Sequence, residues 1–194
     1  ESASPRGFLA TPHFVYFTVD QKTGPDEVWR TDGTNEGTYK LADGRTDEAA
    51  AVGDTLFFNN CCATGDSELW QSDGTPAGTH LVKDIHPGPE PSAPKEMVAF
   101  GNKVYFFAQD GQHGDELWVS DGTTEGTQLL KDLLPGPASP TPNIGVTGHE
   151  LVVIDRMLYF RAIDPDTGHE LWKSDGTAVG TALVKDIHSS HNES

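Results

Sequence analysis

Three glutamates recur at one position of a repeated pattern, and such spacing could build a cation site. Glu48, Glu96 and Glu150 each lie twenty-two residues ahead of a tryptophan (Trp70, Trp118, Trp172), and Gly7 holds the fourth place, ahead of Trp29. If equivalent strands bring these carboxylates to one axial mouth, they and the inward backbone carbonyls form a hard-cation site suited to Ca2+ or Na+. The competing reading splays them into solvent.

A second chemical feature is the adjacent pair Cys61-Cys62. Neighbouring Cα atoms sit ~3.8 Å apart across a trans peptide, short of the ~4.4 Å where the usual disulfide range begins. A bond between the two would be strained and easily reduced. Three readings stay open: a vicinal disulfide stiffening a loop, two ordinary thiols, or a soft-metal site that needs further ligands. With both cysteines in one repeat, no intrachain disulfide joins the first repeat to the last.

Other residue types invite chemistry and lose it on inspection. The four Trp could be sugar-stacking platforms, but each stands between apolar neighbours in a strand-like run, which favours packing. Asp32, Asp73, Asp121 and Asp175 offer one carboxylate per turn, where Ca2+ takes about six to eight oxygens. Their expected role is the turn itself. In Lys83-Asp84, Lys131-Asp132 and Lys185-Asp186 the Asp is expected to bond local backbone. His86 and His188 share a repeat position, whereas His13, His80, His113, His149 and His169 form no common set. The sequence has no His-Glu-x-x-His, no Gly-x-Ser-x-Gly and no phosphate-cradling glycine loop.

The elements that position these residues follow from the repeat. The segment Glu116-Leu-Trp-Val-Ser-Asp-Gly-Thr through Asp132 recurs without gaps as Glu27–Asp43, Glu68–Asp84 and Glu170–Asp186. Thirteen residues before each Trp stands Tyr16, Phe57, Tyr105 or Tyr159, followed in every case by Phe, and these runs predict strands buried on both faces. A short apolar strand precedes each (Leu9–Thr11, Ala50–Val52, Val98–Phe100, Val152–Ile154), joined by hairpin chemistry such as Gly53-Asp54. Glu-Leu-Trp is the third strand, and Asp-Gly-Thr turns the chain into the fourth. The first turn glycine takes φ > 0, and a bulge is expected at the second (Gly37, Gly78, Gly126, Gly180).

Each repeat is thus a four-stranded antiparallel meander, and the fold class is all-β, a four-bladed β-propeller. The expected blades are 7–43, 48–86, 95–134 and 149–188 in a single domain, 1–194. Closure would rest on blade 1 packing against blade 4. The alternative is a piece of a longer array, with further units supplied by more chain or by another subunit. The expected state is accordingly a monomer or a blade-sharing oligomer. Length varies only between blades, where the Pro-rich loops 86–94 and 135–142 predict stiff surface connections.

Net charge of −17 argues against nucleic acid, whose phosphates need clustered Lys and Arg, and disfavours anionic membranes, while permitting attraction for cations and basic partners. No apolar run approaches the ~18 residues of a membrane span. The polar start Glu1-Ser-Ala-Ser-Pro5 reads as a mature N-terminus or an imposed boundary rather than a targeting segment.

The fourfold Glu-Leu-Trp-x-x-Asp-Gly-Thr, with Lys-Asp and a Pro-Gly loop after it, resembles the bacterial ELWxxDGT-repeat proteins over residues 7 to 188. Blade 1 departs most, with Glu27-Val-Trp29 and with Ala42 in place of the lysine. The resemblance implies export, secreted or at the cell surface, and a β-rich repeat fold. It implies no catalytic residues. The blade count also resembles hemopexin-type propellers in architecture alone. The expected function is a non-catalytic, lectin-like binding module for a glycan or protein, using the face that carries loops 86–94 and 134–149. Alternatives are a hydrolase-type propeller with its site at the tunnel mouth, or a structural unit of a larger surface protein.

Overall fold

A computed structural model describes residues 4–60, 67–133, 150–164 and 168–187. Blade 1 comprises β1 (Ser4–Ala10), β2 (Val15–Asp20), β3 (Glu27–Thr31) and β4 (Tyr39–Asp43). Blade 2 comprises β5 (Arg45–Val52), β6 (Thr55–Asn60), β7 (Glu68–Ser72) and β8 (His80–Lys83). Blade 3 is built of β9 (Lys95–Phe100), β10 (Lys103–Gln109), β11 (Asp115–Ser120) and β12 (Gln128–Lys131). Blade 4 is built of β13 (Val152–Ile154), β14 (Met157–Asp164), β15 (Gly168–Ser174) and β16 (Ala182–Lys185). Each is a separate antiparallel sheet with its strands in chain order, so the chain is a four-bladed β-propeller.

The repeat pattern dictates the register. In every blade the second-strand Phe lies directly opposite the Trp of strand three: Phe17↔Trp29, Phe58↔Trp70, Phe106↔Trp118 and Phe160↔Trp172. Such cross-strand aromatic pairs are the packing unit of a sheet. The bulge falls in strand four, four residues beyond the second turn glycine rather than at it. Leu117 pairs with Lys131 and Trp118 with Leu129, which leaves Leu130 as the extra residue; Leu41, Val82 and Val184 are its equivalents.

The second glycine has a different cause. In blade 3, Asp121 Oδ1 accepts from the Thr123 amide at 3.0 Å and the Thr123 hydroxyl at 2.7 Å. Thr123 Oγ1 in turn accepts from Gly126 N at 2.9 Å. A Cβ on Gly126 would land on the Asp121 carboxylate, as it would at the matching position in every blade. The threonine hydroxyl, then its amide, holds each of the four aspartates below the usual carboxylate range. Gly122 sits at φ 91°, a region open to glycine at little cost.

The core lies between blades. One cluster joins Tyr16, Val28 and Leu41 of blade 1 to Leu56 and Phe58 of blade 2. A second joins Phe57, Leu69 and Val82 to Val104, Phe106 and Trp118. The blade 3–blade 4 boundary is filled by Phe107, Leu117, Phe160 and Trp172. First strands meet around the axis, β1 on β5 and β5 on β9, with β13 more lightly on β9. The expected packing of blade 1 against blade 4 is not made: among the described residues no apolar cluster and no comparable strand contact joins them. Among the described residues the circle is open there.

Candidate binding cleft on the variable-loop face

In a four-stranded meander, the starts of first strands, the strand two-to-three connections and the inter-blade connections share one end. The described inter-blade and two-to-three connections therefore lie on one face, and the repeated Asp-Gly-Thr turns lie on the other. The variable face is anchored through the Glu of Glu-Leu-Trp, a role the sequence reading missed. Glu68 is buried and accepts from Ile85 N at 2.8 Å, Ser92 N at 2.9 Å and Ser92 Oγ at 2.6 Å. Glu116 and Glu170 accept in the same way from Leu133 N at 2.6 Å and Ile187 N at 2.9 Å. A charged residue repeated inside an otherwise buried strand was the available signal, since a buried charge must find partners. Asp132 and Asp186, expected to bond this backbone, each keep a buried carboxyl oxygen without a partner among the described residues.

On this face a cleft of about 150 Å³ is lined by Arg45, Asp47, Glu48 and Asn59. Asn59 is held by donating to Pro94 O at 3.0 Å and accepting from Ser67 Oγ at 2.5 Å. Arg6 binds Asp20 at 2.5 Å and Asp26 at 3.2 Å and also reaches Asp47. Arg45 meets Asp26 at 2.8 Å, and Lys95 meets Asp115 at 2.7 Å. Burial first, then the negative charge of Glu96, raises the Glu48 carboxyl above its ordinary value of 4.5, against the opposing pull of Lys95 and Arg45.

The structure thus brings Glu48 and Glu96 into electrostatic contact across the blade 2–blade 3 boundary. Glu150 is not gathered with them: it precedes β13, whereas the other two lie within β5 and β9. Among the described residues no three His, Cys, Asp or Glu side chains are grouped to hold a metal ion. Gly7, Glu96 and Glu150 share a left-handed backbone, at φ 61°, 53° and 49°, which explains the glycine in blade 1. That conformation costs a non-glycine residue about 1–2 kcal/mol, and such strain concentrates at functional positions. Cys61, Cys62 and loop 134–149 lie outside the described residues.

Among the described residues two imidazole–carboxylate pairs occur, His13–Asp54 at 2.6 Å and His113–Asp110 at 2.8 Å, the second raising the His113 pKa through that hydrogen bond. Neither ring is hydrogen-bonded to a hydroxyl among the described residues.

No family model and no curated protein matches the chain. Solved structures do. TolB from Acinetobacter baumannii is 9% identical, with a TM-score of 0.56 over 93% of this chain and 43% of its own. The β-propeller domain of the Trilobed protease from Pyrococcus furiosus is 13% identical, with a TM-score of 0.57 over 96% of this chain and 55% of its own. Likeness at this identity is likeness of fold. The fold is a β-propeller. A prolyl endopeptidase is also similar, 14% identical at a TM-score of 0.55, covering 93% of this chain and 26% of its own. The chain spans about half the length of the first two and about a quarter of the third.

Proposed function

We propose that the chain is an exported, non-catalytic binding module whose ligand is a polypeptide presenting basic side chains to the blade 2 cleft at Glu48. The observation that carries this is the pairing of Glu48 with Glu96. Burial first, and then the charge of Glu96, raises the Glu48 carboxyl, and a cation placed beside it would favour its ionised form. Lys95 and Arg45 lower the Glu48 carboxyl without cancelling its rise, so a guanidinium or ammonium from outside would stabilise its charged form further. The net charge of −17 favours encounter with such a partner. By contrast, the Trp, Asp, Gly and Thr of the repeat are used in packing and turns.

The test exposes immobilised protein to an oligo-arginine peptide, the same peptide with citrulline in place of arginine, and a glycan array. The reading expects retention of the arginine peptide that weakens with salt. Equal retention of the citrulline peptide, or binding of neutral glycans alone, overturns it. A hydrolase reading would be revived by turnover of a peptide or ester substrate.

A further inference from the structure

Every internal blade boundary joins two chemically distinct faces, one presented to the following blade and one to the preceding blade. The first carries the residues aligned with Leu69, Val82 and Ile85; the second carries those aligned with Met97, Phe106 and Trp118. Blade 4 repeats the first set with nothing on it among the described residues. Leu171 is 38% exposed where Leu69 is 0%, Val184 is 42% where Val82 is 4%, and Ile187 is 68% where Ile85 is 3%. Val152 and Ile154 extend the same apolar strip. Blade 1 repeats the second set with its edge uncovered: Phe17 is buried at 9%, Trp29 is half-buried, and Phe8 lies open. Phe8 is 66% exposed where Met97 is 9%, and it stacks on Phe17, which stacks on Trp29, at 5.8 and 6.4 Å.

The polar contacts agree. Tyr16 donates to Asp54 O at 2.7 Å and Tyr105 to Gly176 O at 3.3 Å, each across a boundary into the next blade. Tyr159, their equivalent in blade 4, makes no hydrogen bond among the described residues. Lys83 Nζ donates to Thr127 O in the next blade at 2.7 Å, and its equivalent Lys185 is exposed. A Cβ on Gly74, Gly122 or Gly176 would meet the preceding blade, whereas one on Gly33 would meet nothing within 4 Å.

We infer that these two faces are halves of one interface, and that a second copy of this chain completes it. What blade 4 needs is a surface like the one blades 2, 3 and 4 already present, and blade 1 carries it free. Four blades span 55% of the propeller domain they match, so the missing arc is about that of a second chain. Two copies joined by two identical blade 4–blade 1 contacts make a closed pair, in which every apolar strip is covered.

Light scattering on the intact chain is expected to give a particle of twice the 20.9 kDa chain mass. Leu171→Glu and Phe8→Asp, on opposite faces, are each expected to halve that mass. Mixing the two variants restores a pair through the one unaltered contact, a recovery that a blade 1–blade 1 or blade 4–blade 4 contact does not predict. Both sites are exposed, and circular dichroism verifies the fold. Independently of any variant, hydrogen exchange in β1 and β16 should slow as protein concentration rises. A monomeric wild type, an open-ended ladder of larger species, a pair that survives both variants, or concentration-independent exchange each overturns the inference.

Discussion

Replacing Glu68 by Ala tests whether the repeat's glutamate is a structural pin. The carboxylate is 3% exposed and serves two backbone amides, Ile85 N and Ser92 N, together with the Ser92 hydroxyl. Truncation leaves two amides in a dry interior without an acceptor. Each unpaired buried donor costs about 1–3 kcal/mol, so the pair together costs about 3 kcal/mol after partial relaxation. For a chain of this length each kcal/mol lowers Tm by about 2–4 °C, which gives a fall of about 6–12 °C. Ser92→Ala removes a single hydroxyl and should cost about 1 kcal/mol. Differential scanning calorimetry on the three proteins checks both the size and the order. A Glu68→Ala loss within about 0.5 kcal/mol of wild type, the range of ordinary surface changes, would refute the pin.

Gly126→Ala places a methyl on the Asp121 carboxylate and should cost about 1–3 kcal/mol by thermal melt, although it lies in an exposed turn. Glu48→Gln removes a carboxyl whose folded pKa lies above its unfolded value. Such a group binds more protons when folded, so its ionisation costs stability as pH rises through the folded pKa. The variant should therefore melt higher than wild type at pH 7, with the gain vanishing below the ordinary value of 4.5. Tyr105→Phe loses the bond to Gly176 O and should cost about 0.5–1.5 kcal/mol. Tyr159→Phe, at the open boundary, should be silent in a monomeric sample by the same measurement.

The architecture was legible because each blade repeats its evidence. Aromatic pairs at fixed distance from Trp name strands two and three, and Asp-Gly-Thr names the turn between strands three and four. The bulge was misplaced because two causes of a conserved-looking glycine are alike in sequence: a bend in the strand, and a carboxylate folded over the backbone. The site was half legible. Glu48 and Glu96 emerged from repeat spacing, but spacing assumes four equal blades, and the late, short β13 leaves Glu150 outside the pair. The network of Arg6, Asp26 and Arg45 was hidden because it joins strand one of two blades to a two-to-three connection. No periodicity links those residues.

The account's central claim is that the repeated motif builds the blades while binding sits where the blades differ. Calorimetric titration of the oligo-arginine peptide into wild type, Glu48→Gln and Asp121→Asn separates the two. The account predicts that Glu48→Gln weakens binding at least about tenfold, about 1.4 kcal/mol, while folded Asp121→Asn binds as wild type does. Undiminished binding by Glu48→Gln together with its loss in Asp121→Asn would contradict the account.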